Sequence, residues 1–410
     1  MGQGERRTFR EALKILSNLY PEETLKLLPL IPYYGRWDDI FYLDNVDIGT
    51  FLAKQIDADL ESENPSLLAK WMPSENASSI KTKELARKFR KYLGLSSKKY
   101  RSILTTLRAK INLVETKISN KEWSEVVYSG VPSKAGMKYK KAFEAHDSER
   151  YNKFLTRVES GEEKINTSTL FPYEIVRDIR KNTTNKTLEV LWNNLPDYTN
   201  NDEKALVVAD TSGSMSWSEV DGVKPIDVAV SLAMYFAERN KGVFKNKFIN
   251  FSSNPTLQEL KGETLYQRIT NLDHTEWGGS TNIQGVFDLV LKTAVNGSLP
   301  QEDMPSSIYI ISDMEFNGCT YGVTNFEDIK RKYKEAGYEM PVIVFWNVNS
   351  HQNNVPVDKN EQGVILISGA SASTFKMAIE RTTPYKFMLD VLNGERYSKV
   401  DEVLIGDKDE

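Results

Sequence analysis

The chain is poor in the residue types that build disulfides, zinc sites and membrane spans. Its single cysteine, Cys319, excludes an internal disulfide and is typical of a protein from a reducing compartment. None of its three histidines, His146, His274 and His351, has partners at the spacing of a metal site or a catalytic triad. No run approaches the roughly 18 apolar residues of a membrane span, and the start, MGQGERRTFREALK, lacks a signal-peptide core. We therefore expect a cytoplasmic protein without a membrane partner.

Charge is distributed unevenly along the 410 residues, although the net charge is only −4. Residues 1–200 have a balance of +6 (33 basic against 27 acidic), and the remainder has a balance of −10 (20 against 30). Between Lys81 and Lys110 there are eleven basic residues and one acidic residue. A basic half and an acidic half indicate different partners, or an affinity of the two halves for each other.

The first half, to about residue 195, has the pattern of helices joined by short turns. Leucine and aromatic residues recur at four-residue spacing from Lys83 to Leu93, and Gly94 is a suitable C-terminal cap. Ser96 or Ser97 is expected to cap the next helix. The core face predicted for that helix consists of Tyr100, Ile103, Leu104, Leu107, Ile111 and Val114. Helix pairs in series fit a helical-repeat-like array.

From Lys204 onward, short β-rich runs alternate with helical patterns. The predicted strands are 205–209, 247–251, 307–311, 341–346 and 364–368, and the predicted helices are 226–239, 282–294, 325–336 and 371–381. This alternation predicts a doubly wound, mainly parallel sheet. We therefore predict an α plus α/β protein with an all-helical domain at 1–200, an α/β domain at 204–384 and a C-terminal helical tail at 385–410.

Oxygen-bearing side chains follow two predicted strands and begin one predicted helix. Asp210, Ser212 and Ser214 follow the run LVVA, Thr281 lies in WGGSTN before a helix, and Asp313 ends the strand SIYIIS. In open α/β sheets ligands bind beyond the carboxyl ends of the strands. Carboxylate and hydroxyl oxygens suit Mg²⁺ or Mn²⁺. Asp and Ser also form ordinary turns and helix caps, so the DxSxS segment alone is a weak signal.

On these motifs, residues 204 to about 381 resemble a von Willebrand factor A domain with a metal-ion-dependent adhesion site. The resemblance implies that Asp210, Ser212, Ser214, Thr281 and Asp313 hold the ion directly or through water. Because the hydroxyls are neutral, the ion keeps positive charge. An open position would then attract an anionic oxygen, either a carboxylate from a partner or a phosphate.

Segments of the helical half resemble a family of uncharacterised proteins from phages, bacteria and eukaryotes. They are IPYYGRWDDIFYL (31–43), LAKWMPSENASS (68–79), YRSILTTLRAKINLVE (100–115) and KYKKAFEAHD (138–147). That architecture is in turn similar to the TROVE-plus-von Willebrand organisation of Ro autoantigen-like proteins, which implies binding of small or misfolded RNAs by helical repeats. The similarity to Ro autoantigen-like proteins is an analogy that rests on the order of the domains and on the basic helices.

The basic stretch is the candidate RNA-binding surface, because clustered cations release counterions from a phosphate backbone. The residues assigned to it are Lys83, Arg87, Lys88, Arg90, Lys91, Lys98, Lys99, Arg101, Arg108, Lys138, Lys140 and Lys141. A solvated helical face is the alternative. The segment Trp37-Asp38-Asp39 is interpreted as a structural corner. The segment from Trp71 to Asn76 is interpreted as having a role, either in holding a ring of helices together or in lining a pore.

Taken together, these features predict a non-catalytic, Ro-like RNA-binding protein. Its partners would be a small or structured RNA, and a protein that supplies a carboxylate to the metal site. A metal-dependent protein–protein adaptor or assembly factor without RNA is the first alternative, and a metal-dependent nuclease is the second. No Walker A loop or GxSxG elbow is present, and metal-assisted hydrolysis would need a general base that the sequence does not indicate.

Overall fold

A computed structural model describes residues 7–111, 113–182, 185–197, 199, 204–217, 219, 222–273, 282–314, 324–348, 363–369 and 384–405. The chain forms two compact units. The first unit contains the residues up to Val126 together with those from Pro384 onward, and the second runs from Val127 to Thr383.

The first unit is helical. Its α-helices are α1 (Arg7–Leu19), α2 (Pro21–Leu27), α3 (Ile31–Tyr34), α4 (Ile48–Glu61), α5 (Leu68–Trp71), α6 (Ile80–Tyr92), α7 (Ser97–Lys110), α8 (Val114–Asn120) and, near the C-terminus, α18 (Pro384–Leu392) and α19 (Ser398–Ile405). Short 3₁₀ turns, of which Trp37–Tyr42 is the longest, connect several of them. Helix α19 packs on α2, so the C-terminal segment folds back onto the first helices of the chain.

The caps of α6 and α7 agree with the sequence pattern. Ser79 Oγ accepts a hydrogen bond from Thr82 N, and Ser96 Oγ accepts one from Lys99 N. Gly94 follows the end of α6 with a φ of +61°, a conformation that costs glycine little. The predicted core side chains of α7 are buried, with Tyr100 and Leu107 at 0% exposure.

The second unit is built on one six-stranded sheet of order β3-β2-β1-β4-β5-β6. The strands are β1 (Ala205–Asp210), β2 (Lys247–Phe251), β3 (Thr256–Glu259), β4 (Ser307–Ser312), β5 (Val342–Asn347) and β6 (Val364–Ser368). All neighbours pair in parallel except β2 and β3, which are antiparallel. Strands β1 and β4 are buried along their whole length, as expected of parallel strands covered on both faces.

The helices of the second unit are α9 (Ser133–His146), α10 (Ser148–Glu159), α11 (Pro172–Asn182), α12 (Lys186–Asn193), α13 (Ser214–Trp217), α14 (Pro225–Arg239), α15 (Leu265–Asp273), α16 (Ile283–Asn296) and α17 (Thr324–Glu335). Helix α14 is buried on nearly all sides, because the sheet lies against one face and α11 lies against another. Trp192 of α12 is fully buried in the same core, and its indole Nε1 donates a 2.7 Å hydrogen bond to Glu238 of α14.

The predicted fold class is confirmed, and the observed strands match the predicted ones to within one residue. The short antiparallel strand β3 and helix α15 were not predicted, and predicted helix 371–381 lies outside the described residues. The division into units falls near residue 126, whereas the predicted domain boundary lies near residue 200. Helices α9 to α12 therefore belong to the unit that contains the sheet. Within the ranges described above, no helix is both long and apolar enough to cross a bilayer.

Candidate metal site and basic surface

The predicted metal ligands that the structure describes lie at the carboxyl ends of β1 and β4. These two strands are neighbours in the middle of the sheet, where the strand order reverses direction. Ligand sites of open α/β sheets lie in the crevice at such a switch point. Asp210 is the last residue of β1, Ser212 and Ser214 follow it, and Asp313 follows β4 directly.

Hydrogen bonds fix the carboxylate of Asp210 on both sides. Its Oδ1 accepts from Ser212 N at 2.9 Å, and its Oδ2 accepts from Ser312 Oγ at 2.6 Å. Ser312 Oγ in turn accepts from Met314 N at 3.0 Å. Ser312 was not among the predicted site residues. Its position at the end of β4, directly before Asp313, is the feature of the sequence that could have indicated a role in the site. The bridge from Ser312 joins the ends of the two strands and orients the Asp210 carboxylate.

The two carboxylates of the site are buried, and the two hydroxyls are half-buried. Asp210 is 0% exposed and Asp313 is 2% exposed. Burial raises the pKa of Asp210 above its usual value, and the negative charge of Asp313 raises it further, while hydrogen bonds from Ser312 and Ser212 act in the opposite direction. Two buried like charges repel, so a cation at this edge of the sheet would stabilise both ionised carboxylates.

The donor set fits a hard divalent cation. Ser212 Oγ and Ser214 Oγ lie 3.1 Å apart. Adjacent ligands of an octahedral Mg²⁺ ion, with bonds of about 2.0–2.1 Å, are separated by about 3 Å. In the described part of the chain, no group of three or more His, Cys, Asp or Glu side chains is arranged for a metal. The candidate site therefore depends on hydroxyl as well as carboxylate oxygens.

Thr281, the fifth predicted ligand, lies outside the described residues, and so does Glu315. The next residue in the chain, Asn282, is described. Its side chain accepts a 2.9 Å hydrogen bond from Gly285 N and thereby caps α16, and its backbone N donates to Ser252 O at 3.3 Å. Since Ser252 follows β2, the start of α16 is attached to the same edge of the sheet that carries Asp210.

The predicted basic residues fall into two structural groups. Those that are exposed are Arg87, Lys91, Lys98, Lys99 and Arg101 in the first unit, and Lys138 and Lys141 in the second. The others, Lys83, Lys88, Arg90, Arg108 and Lys140, are half-buried or buried. Lys88 forms an ion pair with Asp44, and that hydrogen bond raises the pKa of its ammonium group.

Three of the less exposed cations hold the fold together. Arg90 pairs with Glu75 at 3.0 Å. Arg108 donates to Ala69 O, Met72 O and Ser74 Oγ at 2.8, 2.7 and 2.8 Å. Lys140, in the second unit, is buried against Asp178. These contacts argue against a role in RNA binding for the three residues.

The segment from Trp71 to Asn76 is the partner of two of these cations. Besides the contacts to Arg90 and Arg108, Pro73 O accepts a 2.8 Å hydrogen bond from the buried Tyr100 hydroxyl of α7. The segment therefore joins α6 and α7 to the remainder of the first unit.

Arg108→Ala is expected to lower the free energy of unfolding by about 3 kcal/mol, because it removes three charge-assisted hydrogen bonds and leaves two backbone carbonyls without their donor. Arg101→Ala, on the same helix but exposed, is expected to change it by less than about 0.5 kcal/mol. Urea unfolding followed by circular dichroism measures both. Equal effects of the two substitutions would contradict the structural assignment of Arg108.

Comparisons with known proteins cover most of the chain. Residues 47–211 match a domain of unknown function (DUF2828), and residues 204–399 match a second one (DUF7788). An uncharacterised protein of Acanthamoeba polyphaga mimivirus is 32% identical over 350 residues, which are 80% of this chain and 60% of that protein. The chain thus spans about three fifths of that relative's length. Among solved structures, the Ro (RSR) protein of Deinococcus radiodurans is similar with a TM-score of 0.45 and 12% identity, covering 92% of this chain and 88% of that one.

Proposed function

We propose that the protein binds RNA without catalysing a reaction on it, through the exposed cations of α6 and α7. The observation that supports this is the set Arg87, Lys91, Lys98, Lys99 and Arg101. All five side chains are exposed, and none forms an ion pair with a carboxylate of the described chain. Cations without carboxylate partners are available to neutralise phosphates, and the small cations condensed on the nucleic acid are then released with a gain in entropy.

The position of these cations on the helices favours a continuous surface. They lie at the C-terminal end of α6 and the N-terminal half of α7, on either side of the turn at Gly94. The buried faces of the same helices carry Phe89 and Tyr100, so the cations project from the opposite faces. Phosphate contacts of this kind fix a nucleic acid in place but carry no sequence information.

We further propose that the site at Asp210 binds Mg²⁺ or Mn²⁺ and captures a carboxylate from a partner protein. The buried carboxylates of Asp210 and Asp313, and the hydroxyls of Ser212 and Ser214, would hold the ion together with Thr281. The bound ion would supply positive charge and a position for an outside anionic oxygen. Both described carboxylates would be ligands, which leaves neither of them as a general base. We therefore favour binding over metal-assisted hydrolysis at this site.

Replacing Lys91, Lys98, Lys99 and Arg101 by Gln is expected to weaken binding of single-stranded RNA at least tenfold at 0.1 M salt. The slope of log K against log [salt] is expected to fall in magnitude, since each lost phosphate contact removes about 0.7. Filter binding of a labelled RNA at several salt concentrations measures both quantities. The matched control replaces four exposed lysines of the second unit, Lys245, Lys292, Lys330 and Lys334, by Gln.

The control has the same change in net charge and is expected to bind RNA as the parent does. Absence of RNA binding by the parent protein at low salt, together with a clean protein absorbance spectrum after purification, would favour the adaptor function. Degradation of the RNA that EDTA prevents and Asp210→Ala abolishes would favour the nuclease. Equal losses in the two quadruple variants would contradict the assignment of the surface to α6 and α7.

A further inference from the structure

The first unit contains a cavity of about 480 Å³, partly open to solvent, at the junction of its N-terminal and C-terminal helices. Most of its lining comes from α1, α2 and the segment Ile31–Asp39, and the remainder from Tyr397 and Val400. This volume lies in the range of about 300–1,000 Å³ that small-molecule sites occupy. The segment 31–39 is part of a motif that the proposed RNA and metal sites do not use.

The walls of the cavity are aromatic and aliphatic. Phe9, Tyr34 and Tyr397 contribute rings, and the rings of Tyr34 and Tyr397 are stacked with centroids 5.2 Å apart and planes 13° from parallel. The Tyr34 hydroxyl donates a 2.7 Å hydrogen bond to Arg396 O, which fixes the C-terminal segment beside the cavity. Flat aromatic walls favour a flat ligand that stacks on them.

One side of the lining is polar and carries both a donor and an acceptor. Asp39 Oδ1 accepts from Arg10 Nε at 2.7 Å, and Asp39 Oδ2 accepts from Arg36 N at 2.8 Å. The guanidinium of Arg36 lies 4.1 Å from the centroid of the Trp71 ring and donates to Asp38. Its Nε is buried, so this atom does not face the cavity.

Gly35 lies between the aromatic and the polar parts of the lining. A Cβ atom at this position would lie 2.6 Å from Phe9 Cε1 and 2.7 Å from Asp39 Oδ2. Any other residue would therefore displace the wall of the cavity or the carboxylate. The requirement for glycine here is steric.

We propose that this cavity binds a nucleobase, which stacks on the aromatic wall and lies with its polar edge against the side of the lining that Arg36 and Asp39 form. The proposal rests on the proposed RNA binding and adds a site where one unpaired base is held. Single-stranded RNA is recognised through bases that stack on aromatic rings and are hydrogen-bonded at their edges. Two exposed cations, Arg396 and Lys399, are suited to the phosphate. Arg396 Cζ lies 5.9 Å from the ring centroid of Tyr34, and Lys399 Nζ lies 4.4 Å from that of the adjacent residue Tyr33, which does not line the cavity.

The test compares two tryptophan substitutions at neighbouring positions of α1. Leu16 lines the cavity, whereas Ile15 does not and is 59% exposed. Leu16→Trp is expected to weaken binding of nucleoside monophosphates, measured by calorimetry with AMP, GMP, CMP and UMP, at least tenfold. Ile15→Trp is expected to leave it unchanged. Equal affinities in the two variants, or no binding of any monophosphate by the parent, would overturn the proposal.

A second measurement needs no variant and separates the cavity from the basic surface. The parent protein is crosslinked with ultraviolet light to an oligonucleotide containing 4-thiouridine, and the modified peptides are identified by mass spectrometry. Crosslinks to peptides containing Phe9, Tyr34 or Tyr397 are expected. Crosslinks confined to α6 and α7 would overturn the cavity proposal and leave the RNA-binding proposal intact. Binding of a free monophosphate without any oligonucleotide binding would support the cavity and contradict the proposed function. Preference for a fatty acid over every nucleotide, abolished by Leu16→Trp, would overturn the nucleobase assignment.

Discussion

Asp210→Asn is expected to abolish the stabilisation of the protein by Mg²⁺. A ligand that binds only the folded state raises the free energy of unfolding by about 2.7 kcal/mol when its concentration is one hundred times its dissociation constant. The amide cannot supply the charge of the carboxylate that Ser212 N and Ser312 Oγ orient. Thermal unfolding of the parent and of the variant, followed at a series of Mg²⁺ concentrations and with EDTA, measures the effect.

The same variant is expected to be at least as stable as the parent in EDTA. Asp210 is buried near Asp313, and burial together with that charge raises its pKa, so its ionised form is unfavourable without a cation. Removal of the charge therefore does not destabilise the metal-free site. This behaviour distinguishes a ligand carboxylate from a structural one, because a structural carboxylate stabilises the fold under both conditions.

Asp227→Asn is the matched control. Asp227 is also a buried aspartate of the second unit, but it pairs with Arg180 at 2.9 Å and lies on α14. Burial raises the pKa of Asp227 as well, but its replacement leaves the Arg180 guanidinium without its partner. The substitution is therefore expected to lower stability in EDTA and to leave the shift produced by Mg²⁺ unchanged. If the parent shows no Mg²⁺-dependent shift, or if Asp210→Asn retains the shift, the metal-site proposal is wrong.

The sheet was predictable because its strands are nearly continuous apolar runs. The segments ALVVAD and SIYIIS are buried at every position, and short apolar runs of this length are typical of parallel strands covered on both faces. Strand β3, with the sequence TLQE, is a half-exposed edge strand of four residues and has neither an apolar run nor a clear alternation. This strand forms because it pairs antiparallel with β2, and the hydrophobic pattern of four residues does not indicate such a pairing.

The part of the candidate metal site that lies at strand ends was predictable, because the carboxyl ends of parallel strands meet at one edge of the sheet. Asp210 and Asp313 follow adjacent strands, so the topology of the sheet places them together. The supporting residue Ser312 was not predicted, because its role depends on which side of the strand end faces Asp210. Among the cations, Arg101 and Arg108 both occupy polar positions of α7. Arg108 is a structural residue because it donates hydrogen bonds to the segment from Ala69 to Ser74, which lies more than thirty residues away in sequence.

The division of the structure near residue 126, rather than near residue 200, could not be located from periodicity. Helices α11 and α12 have ordinary amphipathic patterns, and such a pattern indicates that one face is buried without indicating the surface that buries it. In the structure that surface is α14. Arg180 pairs with Asp227, Trp192 donates to Glu238, and Tyr235 donates to Pro196 O. These contacts join α11, α12 and Pro196 to α14, across the predicted domain boundary near residue 200.

Trp192→Ala is expected to lower the free energy of unfolding by about 3–5 kcal/mol, as is typical of removing a buried aromatic side chain. The indole is 0% exposed, lies in the core shared by α12, α14 and the sheet, and donates a hydrogen bond to Glu238. Trp192→Phe loses the hydrogen bond and a smaller part of the packing, so we expect an intermediate loss of about 2 kcal/mol. Trp217→Ala is the control, since its side chain is 88% exposed, and less than about 0.5 kcal/mol is expected.

A comparison of local stability in the helices and in the sheet shows whether helices α9 to α12 unfold together with the sheet. Because Trp192 packs in the same core as Val207 and Ala209 of β1, Trp192→Ala is expected to reduce hydrogen-exchange protection of the β1 amides by a factor that corresponds to the loss measured in urea. In a chain divided near residue 200, the substitution would destabilise the helices alone. If the β1 amides kept their protection while those of α11 and α12 exchanged faster, the helices would unfold separately from the sheet. That outcome would contradict the assignment of Val127 to Thr383 to one cooperative unit.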